Sequence, residues 1–379
     1  MKISLSTIEE HAMEDIFAFV DSLGPEKIVH IYRPKLGLKA VVAIDNVACG
    51  PAIGGVRMAC DVSAMEAFRL ARAMTLKNAA AGLAHGGGKS VIFADPAIPA
   101  AEKEAIIRAF ASSIAELTEY IPGPDMGTDE RAMAWIQDET GRSVGLPREI
   151  GGIPLDEIGA TGWGLVSAID VAQEFANLSI KGARVAIQGF GSVGKHAARF
   201  LGERGAVLVA ASDTRGTLYD ADGLDIANLI ALKRHGQPLM TSERGKKLPR
   251  DAILDVDCDI WIPAARPDVL RADNATRLKA KLVAEGANIP ATPEAEEMLA
   301  ARGVLVIPDF IANAGGVICA AVEYHGGTET AAMAAIVEKI RANTAVVLEA
   351  ASRDKILPRA AAIRLAENRV RRAMALRRW

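Results

Sequence analysis

RVAIQGFGSVGKHAARFLGERGAVLVAASD, residues 184–213, alternates β-branched and glycine-rich runs in a way that fixes the fold class of the chain. Arg184 to Ile187 reads as a short buried strand, Gly189 to Gly194 as a turn, the residues up to Gly202 as a helix, and Ala206 to Ala211 as a second strand. Within the turn, Gly189, Phe190, Gly191, Ser192, Val193 and Gly194 make a G-x-G-x-x-G match. The first glycine permits the tight turn, the second close approach of a pyrophosphate, and the third close packing of helix on strand, with phosphate on the N–H groups of the helix start. Asp213 follows 19 residues after Gly194, at the end of the next strand, where a carboxylate accepts hydrogen bonds from a cofactor ribose. The alternative is that Asp213 only caps the turn Ser212 to Gly216. Arg215 leaves room for a 2′-phosphate, so NAD is the favoured cofactor and NADP stays open.

Outward from this unit, a helix over about Thr161 to Asn177 precedes it, and strands at Asp259 to Ile262, Lys281 to Ala284 and Val304 to Ile307 follow, each ending in Gly, Pro, Asn or Asp. Such alternation implies an α/β fold with a doubly wound, Rossmann-type parallel sheet covered by helices. Upstream lie β-branched runs at Ile28 to Tyr32, Leu38 to Ile44 and Ser90 to Ala94, and helices near Ala64 and from Ala101 to Leu117. Ser63-Ala64-Met65-Glu66 reads as a capping box, in which hydroxyl and carboxylate satisfy each other's orphan N–H groups. Ile121 to Gly127 is too rich in Pro and Gly for a helix or strand interior. The predicted organisation is an α/β substrate and oligomerisation domain over 1–151, a dinucleotide domain over 152–312, and a helical segment over 313–379 that packs back on the first domain.

With 379 residues, two domains are expected. Lys and Arg total 44 against 47 Asp and Glu, a balance that argues against nucleic acid as a partner. Cys49, Cys60, Cys258 and Cys319 form no C-x-x-C pair and have no His at ligand spacing, so no structural metal is expected. The N-terminus reaches four acidic residues by Asp15 without an apolar run, and the longest apolar stretch, Gly303 to Val322, contains Pro308, Asp309 and Asn313. These features suggest a cytoplasmic protein with no membrane span. Arg364 to Trp379 carries six Arg and one Glu, which reads as a solvated helix face or subunit contact ahead of an anion site.

Three further places carry chemistry. Lys77 ends an amphipathic helix and Lys89 follows three glycines in a predicted loop. A lysine among apolar neighbours or beside another cation has its pKa lowered towards that of a general base, while helix-dipole and solvated readings remain for both. Asp125 sits in the rigid segment Pro122 to Gly127, as a catalytic carboxylate or an Asx-turn. Asn313-Ala314-Gly315-Gly316 is a site or a helix cap.

Taken together, these residues resemble the glutamate, leucine, phenylalanine and valine dehydrogenase family. The resemblance runs from about Ile28 to Glu323: GPAIGGVRM at 50–58, MTLKNAAAGLAHGGGKS at 74–90, PGPDMGTDERAMAWI at 122–136, ATGWGL at 160–165, GFGSVG, AEGAN at 284–288 and NAGGV at 313–317. It implies reversible oxidative deamination of an L-amino acid to a 2-oxo acid and ammonia, by a homo-oligomer. Lys89 matches the catalytic lysine, Lys77 the lysine that holds the substrate α-carboxylate, and Asp125 the aspartate that exchanges a proton with the amino group. Thr161 and Asn288 match positions near the nicotinamide, and Asn313 one that contacts substrate or nicotinamide ribose. Glutamate-specific members resemble K-G-G-x-R where this chain has Ile53-Gly54-Gly55-Val56-Arg57, and place serine where it has Ala320. A γ-carboxylate buried without these partners costs roughly 3–5 kcal/mol. A pocket of Ile53, Val317 and Ala320 is therefore expected to take aliphatic or aromatic side chains, and the pocket motifs look most like leucine dehydrogenase. GTDERAMAWI and the middle of the cofactor domain look more like glutamate dehydrogenases. The alternatives are a glutamate dehydrogenase with another anchor, such as Arg57, and a catalytically silent metabolite-binding relative.

Overall fold

A computed structural model describes residues 20–378. The acidic N-terminal stretch and Trp379 lie outside the described residues. Two sheets carry the chain. The first has the order β1-β2-β4-β3-β5, built from β1 (Lys27–Arg33), β2 (Leu38–Asn46), β3 (Ala52–Ala59), β4 (Gly86–Phe93) and β5 (Tyr120–Pro124). β1, β2 and β4 are antiparallel neighbours, whereas β3 pairs parallel with both β4 and β5.

Three expectations change here. Gly86 to Lys89, read as a loop, belongs to the interior strand β4. The glycines suit it because α1 (Ala64–Ala80) lies close on that strand: a Cβ at Gly87 would come within 2.0 Å of the Thr75 nitrogen. Ile121 to Pro124, set aside as too rich in Pro and Gly, forms β5, and Pro122 is tolerated because β5 is an edge strand. Only half of the capping box forms: Ser63 Oγ accepts from the Glu66 N–H at 3.1 Å, but the Glu66 carboxylate turns to Arg57.

The second sheet has the order β12-β11-β10-β6-β7-β8-β9. Its parallel part comprises β6 (Arg184–Gln188), β7 (Val207–Asp213), β10 (Ile260–Pro263), β11 (Leu282–Ala284) and β12 (Leu305–Ile307). β8 (Gly216–Tyr219) and β9 (Lys246–Leu248) extend it antiparallel, an extension whose strands are too short to read from periodicity. Because β6 lies between β7 and β10, connections leave it in opposite directions, which opens a crevice at its carboxyl end. α5 (Ala160–Phe175) and α6 (Ser192–Glu203) cover one face with an apolar cluster that includes Leu165, Ile169, Phe200 and Ile262. On the other, Trp261 is fully buried and donates its indole N–H to the Ile253 carbonyl at 3.2 Å, as a buried tryptophan requires.

The C-terminal helices are α10 (Gly315–Tyr324), α11 (Glu329–Asp354) and α12 (Pro358–Met374). α12 returns to pack on α1. The arginine-rich end thus serves an intramolecular contact: Arg369 donates to the Ala79 and Ala80 carbonyls at the end of α1, Arg377 to the Ala48 carbonyl at 3.0 Å, and Arg371 to Ser22 Oγ at 3.2 Å. Charge run and amphipathic period alone do not reveal that the face they decorate meets helix-terminal carbonyls. α10 also grips the segment joining the two sheets. Glu323, buried, accepts N–H bonds from Gly145 (2.7 Å), Leu146 (3.1 Å) and Ile153 (2.7 Å).

Among the described residues, no helix is long and apolar enough to cross a membrane, and no cluster of three or more His, Cys, Asp or Glu residues suits a metal.

Candidate active site

Lys77 and Lys89 come from neighbouring elements because α1 is pinned to the sheet. Thr75 Oγ1 donates to the buried Asp45 carboxylate at 2.6 Å, and Asn78 Nδ2 to the Gly86 carbonyl at 2.7 Å. Thr75 reads in sequence only as part of the helix's inner face and Asn78 carries no assigned role; their signal is the polar pair flanking Lys77 on an otherwise apolar face. Lys89 is buried in β4, and its ammonium forms a short ion pair with Asp125, just after β5. This pairing needs the glycines of β3. A Cβ at Gly55 would lie 2.7 Å from the Asp125 Cβ and 3.0 Å from Lys89 Nζ, and one at Gly54 would collide with the Gly88 carbonyl at 1.6 Å.

Asp125 does not close an Asx-turn. Its main-chain N–H donates to Thr128 Oγ1 at 3.0 Å, and its carboxylate pairs with Lys89 and with Arg57, whose Nε lies 3.2 Å from Oδ2. Arg57 also pairs with Glu66. Burial opposes ionisation of Asp125, but the Lys89 and Arg57 cations outweigh it and hold the carboxyl below its usual value. For Lys89, burial lowers the pKa and Asp125 only partly restores it. Burial also lowers Lys77, to about 8, against the pull of Asp309 and with a further push from Lys89. Lys77 nevertheless keeps part of its surface accessible. The site thus holds an accessible cation that titrates near neutrality beside a buried lysine–carboxylate pair.

A second group converges from the other sheet. α9 (Asp309–Ala312) ends at Asn313, whose side chain caps nothing and donates to Asn288 Oδ1 at 3.0 Å and the Ala287 carbonyl at 3.3 Å. Gly315 and Gly316 lie against the start of α5; a Cβ at Gly316 would be 3.2 Å from Thr161 Oγ1. Thr161, Asn288 and Asn313 are thereby grouped. Ile53 is buried in β3, Ala320 is buried on α10, and Val317 packs half-buried against the same apolar cluster. None of the three carries a charge.

The cofactor loop sits at the crevice of the second sheet. Gly189, Phe190, Gly191 and Asp213 line a cavity of about 690 Å³ together with Lys233, Arg250 and Arg266. A Cβ at Gly191 would meet nothing within 4 Å, which leaves open space before the first turn of α6, whereas one at Gly194 would lie 2.0 Å from the Gly189 carbonyl. Ser192 and Val193 begin α6, with Ser192 Oγ bonded to Asp156 Oδ1 at 3.0 Å. These features fit a dinucleotide pyrophosphate at the helix start. Asp213 does cap its turn, accepting the Arg215 N–H at 2.9 Å, and it faces the cavity while accepting from Lys233 Nζ at 3.1 Å and Leu239 N–H at 2.9 Å. Burial opposes its charge, but those N–H groups and the Lys233 ammonium hold its pKa below the usual value.

Comparison with known proteins identifies the family. Residues 25–142 match the Glu/Leu/Phe/Val dehydrogenase dimerisation domain, and residues 151–378 the Glutamate/Leucine/Phenylalanine/Valine dehydrogenase domain. A glutamate dehydrogenase of Aeropyrum pernix is 39% identical over 358 residues, covering 88% of this chain and 85% of that protein. The hetero-hexameric glutamate dehydrogenase of Thermus thermophilus, in a Leu-bound form, superposes with a TM-score of 0.84 at 28% identity, covering 93% of this chain and 90% of that one. L-tryptophan dehydrogenase of Nostoc punctiforme superposes with a TM-score of 0.73 at 28% identity, covering 93% and 97%. The chain belongs to the Glu/Leu/Phe/Val dehydrogenase family of NAD(P)-dependent enzymes, which act on the CH–NH2 group of amino acids.

Proposed function

We propose that the protein catalyses reversible oxidative deamination of an L-amino acid with a non-acidic side chain, with NAD as the favoured cofactor. The arrangement that carries the chemistry is Lys77 facing the Lys89–Asp125 pair. Lys77, in its ammonium form, holds the α-carboxylate. Asp125 takes a proton from the substrate amino group, which frees the nitrogen lone pair to form the iminium as the Cα–H leaves. Lys89, in the neutral form that burial favours, orients a water at Cα and takes its proton; Asp125 returns its proton to the amine nitrogen, and as ammonia leaves the carboxylate takes the carbinol O–H proton and releases it to solvent, giving the 2-oxo acid. A bound nicotinamide supplies the hydride acceptor. Thr161, Asn288 and Asn313 orient it and the substrate. Gly189, Phe190, Gly191, Ser192, Val193 and Gly194 receive its pyrophosphate, and Asp213 its ribose.

The side-chain reading rests on Ile53, Val317 and Ala320, apolar members of one cluster at positions where the family resemblance implies donors for a γ-carboxylate. Arg57 is not free to replace them, because it is already committed to Asp125 and Glu66. The tryptophan dehydrogenase neighbour is in keeping with a non-acidic pocket on this fold. Ile53→Lys tests it: kcat/KM for 2-oxoglutarate relative to 4-methyl-2-oxopentanoate is expected to rise at least about tenfold, equivalent to about 1.4 kcal/mol. An unchanged ratio counts against the assignment of this pocket.

The Lys77 assignment has a pH signature. The free enzyme holds the anchoring charge below about pH 8 and loses it above. The kcat/KM for a 2-oxo acid should therefore fall as pH rises through that value, whereas KM for NADH should not follow. A flat profile from pH 7 to 9.5 puts the Lys77 pKa outside that range, and a flat profile together with an unchanged oxo-acid KM in Lys77→Ala removes Lys77 from the carboxylate site.

Assembly as a homo-oligomer is also proposed. Its support is the dimerisation-domain match and the exposed Tyr32 of edge strand β1 with Leu36 beside it.

A further inference from the structure

Arg359, at the start of α12, holds three carboxylates of the dinucleotide side. Its Nη2 lies 2.6 Å from Glu285 Oε2, its Nη1 2.9 Å from Asp309 Oδ1, and its Nε 2.6 Å from Glu296 Oε1. All three acids are buried. The acids in turn hold main chain at the active site. Glu285 Oε2 accepts the Asp309 N–H at 2.9 Å, and Asp309 Oδ2 accepts the N–H of Ile289, a residue with a left-handed φ of 49°. The loop ordered in this way carries Asn288, and the helical turn carries Asn313 at its end.

The same helix is tied to the other half of the site. Ten residues on, about 15 Å along the axis, Arg369 closes the carboxyl end of α1, one turn past Lys77, and also bonds Asn343 of α11 at 3.0 Å. α9 packs directly on α1, close enough for the Asp309 charge to act on Lys77. α12 is therefore fixed at one end to the elements bearing Asn288 and Asn313, and at the other to the helix bearing Lys77.

We propose that Arg359 is a positioning residue for amino acid turnover, holding the 285–289 loop and α9 in register with Lys77 so that one substrate meets both halves of the site. Resting on the assignment of Lys77 above, the role needs no contact between Arg359 and substrate. Burial pushes the Glu285 carboxyl well above its usual pKa against the pull of Arg359, and Oε1 of Glu285 is buried without a partner. A cluster so poorly solvated depends on the guanidinium, and its loss frees the main chain that the acids hold. Lysine keeps the charge but not the planar three-way reach.

The test compares full-length wild type, Arg359→Lys, Arg359→Ala and Lys77→Ala in reductive amination with NADH, ammonium, and either 4-methyl-2-oxopentanoate or 2-oxoglutarate. Both acids carry the α-carboxylate, so the outcome does not depend on side-chain preference. A displacement of about 1 Å costs on the order of 100-fold. Arg359→Ala is thus expected to lose about 100-fold in kcat/KM for the oxo acid with its KM raised, while KM for NADH, set mainly by the glycine loop and Asp213, which Arg359 does not touch, stays within about threefold. Arg359→Lys should recover at least about tenfold of that loss. If Arg359→Ala does not fold, Arg359→Lys decides alone, with oxo-acid KM raised and NADH KM unchanged as the supporting result. Wild-type kinetics in the folded variants overturn the proposal, as does a lower melting temperature with both KM values unchanged, the mark of a merely structural residue. Lys77→Ala separates the two readings: if it leaves the oxo-acid KM unchanged, the anchor assignment fails; if it raises KM while the Arg359 variants do not, only the positioning role fails.

Discussion

Lys89→Ala is expected to lower turnover about 1000-fold or more while NADH still binds, since a positioned proton-transfer group contributes roughly 10²–10⁴-fold. Its ammonium lies in β4 against Asp125, with Gly55 leaving the space both need. Truncation removes the group that orients water at Cα and leaves Asp125 to Arg57 alone. The cofactor crevice belongs to the other sheet, where Gly189, Gly191 and Asp213 line the cavity, and the substitution does not reach it. Steady-state rates in both directions and a fluorescence titration with NADH check the two halves of this statement. Turnover within about tenfold of wild type would move the base to another residue.

Asp125→Asn has the second largest expected effect, a fall of about 100- to 1000-fold in kcat. The change keeps the shape but removes the charge that offsets burial of Lys89. Burial already lowers Lys89, and Asp125 is the main group pulling it back. Without the carboxylate, Lys89 should shed its proton at lower pH, so the residual rate should peak at lower pH than in wild type. Arg57 would retain Glu66 as a partner, which limits structural damage. Such a drop in kcat with the oxo-acid KM within about threefold supports proton exchange at Asp125. A loss confined to KM would instead assign it to binding.

The dinucleotide half was the more legible in sequence because its signal is local. A strand, a glycine turn, a helix and an acid at the next strand end occupy one stretch of 30 residues, and the structure forms β6, α6 and β7 there. The substrate half was harder, since glycine and proline obscure its strands. Gly54, Gly55 and Gly86 to Gly88 sit in β3 and β4 because helix, sheet and the Lys89–Asp125 pair approach closely, a demand that comes from residues distant in sequence. Pro122 fits β5 only because that strand has a free edge, which topology decides. Lys77, Lys89 and Asp125 stood out by chemistry and by resemblance, whereas Arg57 entered only as an alternative side-chain anchor and Glu323 and Arg359 were given no role. Their partners lie far away in the chain, as with Arg359 and Glu285, 74 residues apart. Arginine in an amphipathic helix looks solvated until the helix it meets is known.

The proposed pocket grips the α-amino acid end with charge and the side chain with hydrocarbon. Its most direct measurement is the rate of NADH and NADPH oxidation by the full-length protein with ammonium across a panel of 2-oxo acids: 2-oxoglutarate, 4-methyl-2-oxopentanoate, 3-methyl-2-oxobutanoate and phenylpyruvate. The expected kcat/KM for a branched-chain or aromatic oxo acid exceeds that for 2-oxoglutarate by at least about 100-fold, since leaving a γ-carboxylate unpaired costs roughly 3–5 kcal/mol, with NADH preferred over NADPH. A clear preference for 2-oxoglutarate would contradict it and require an anchor other than Ile53, Val317 and Ala320.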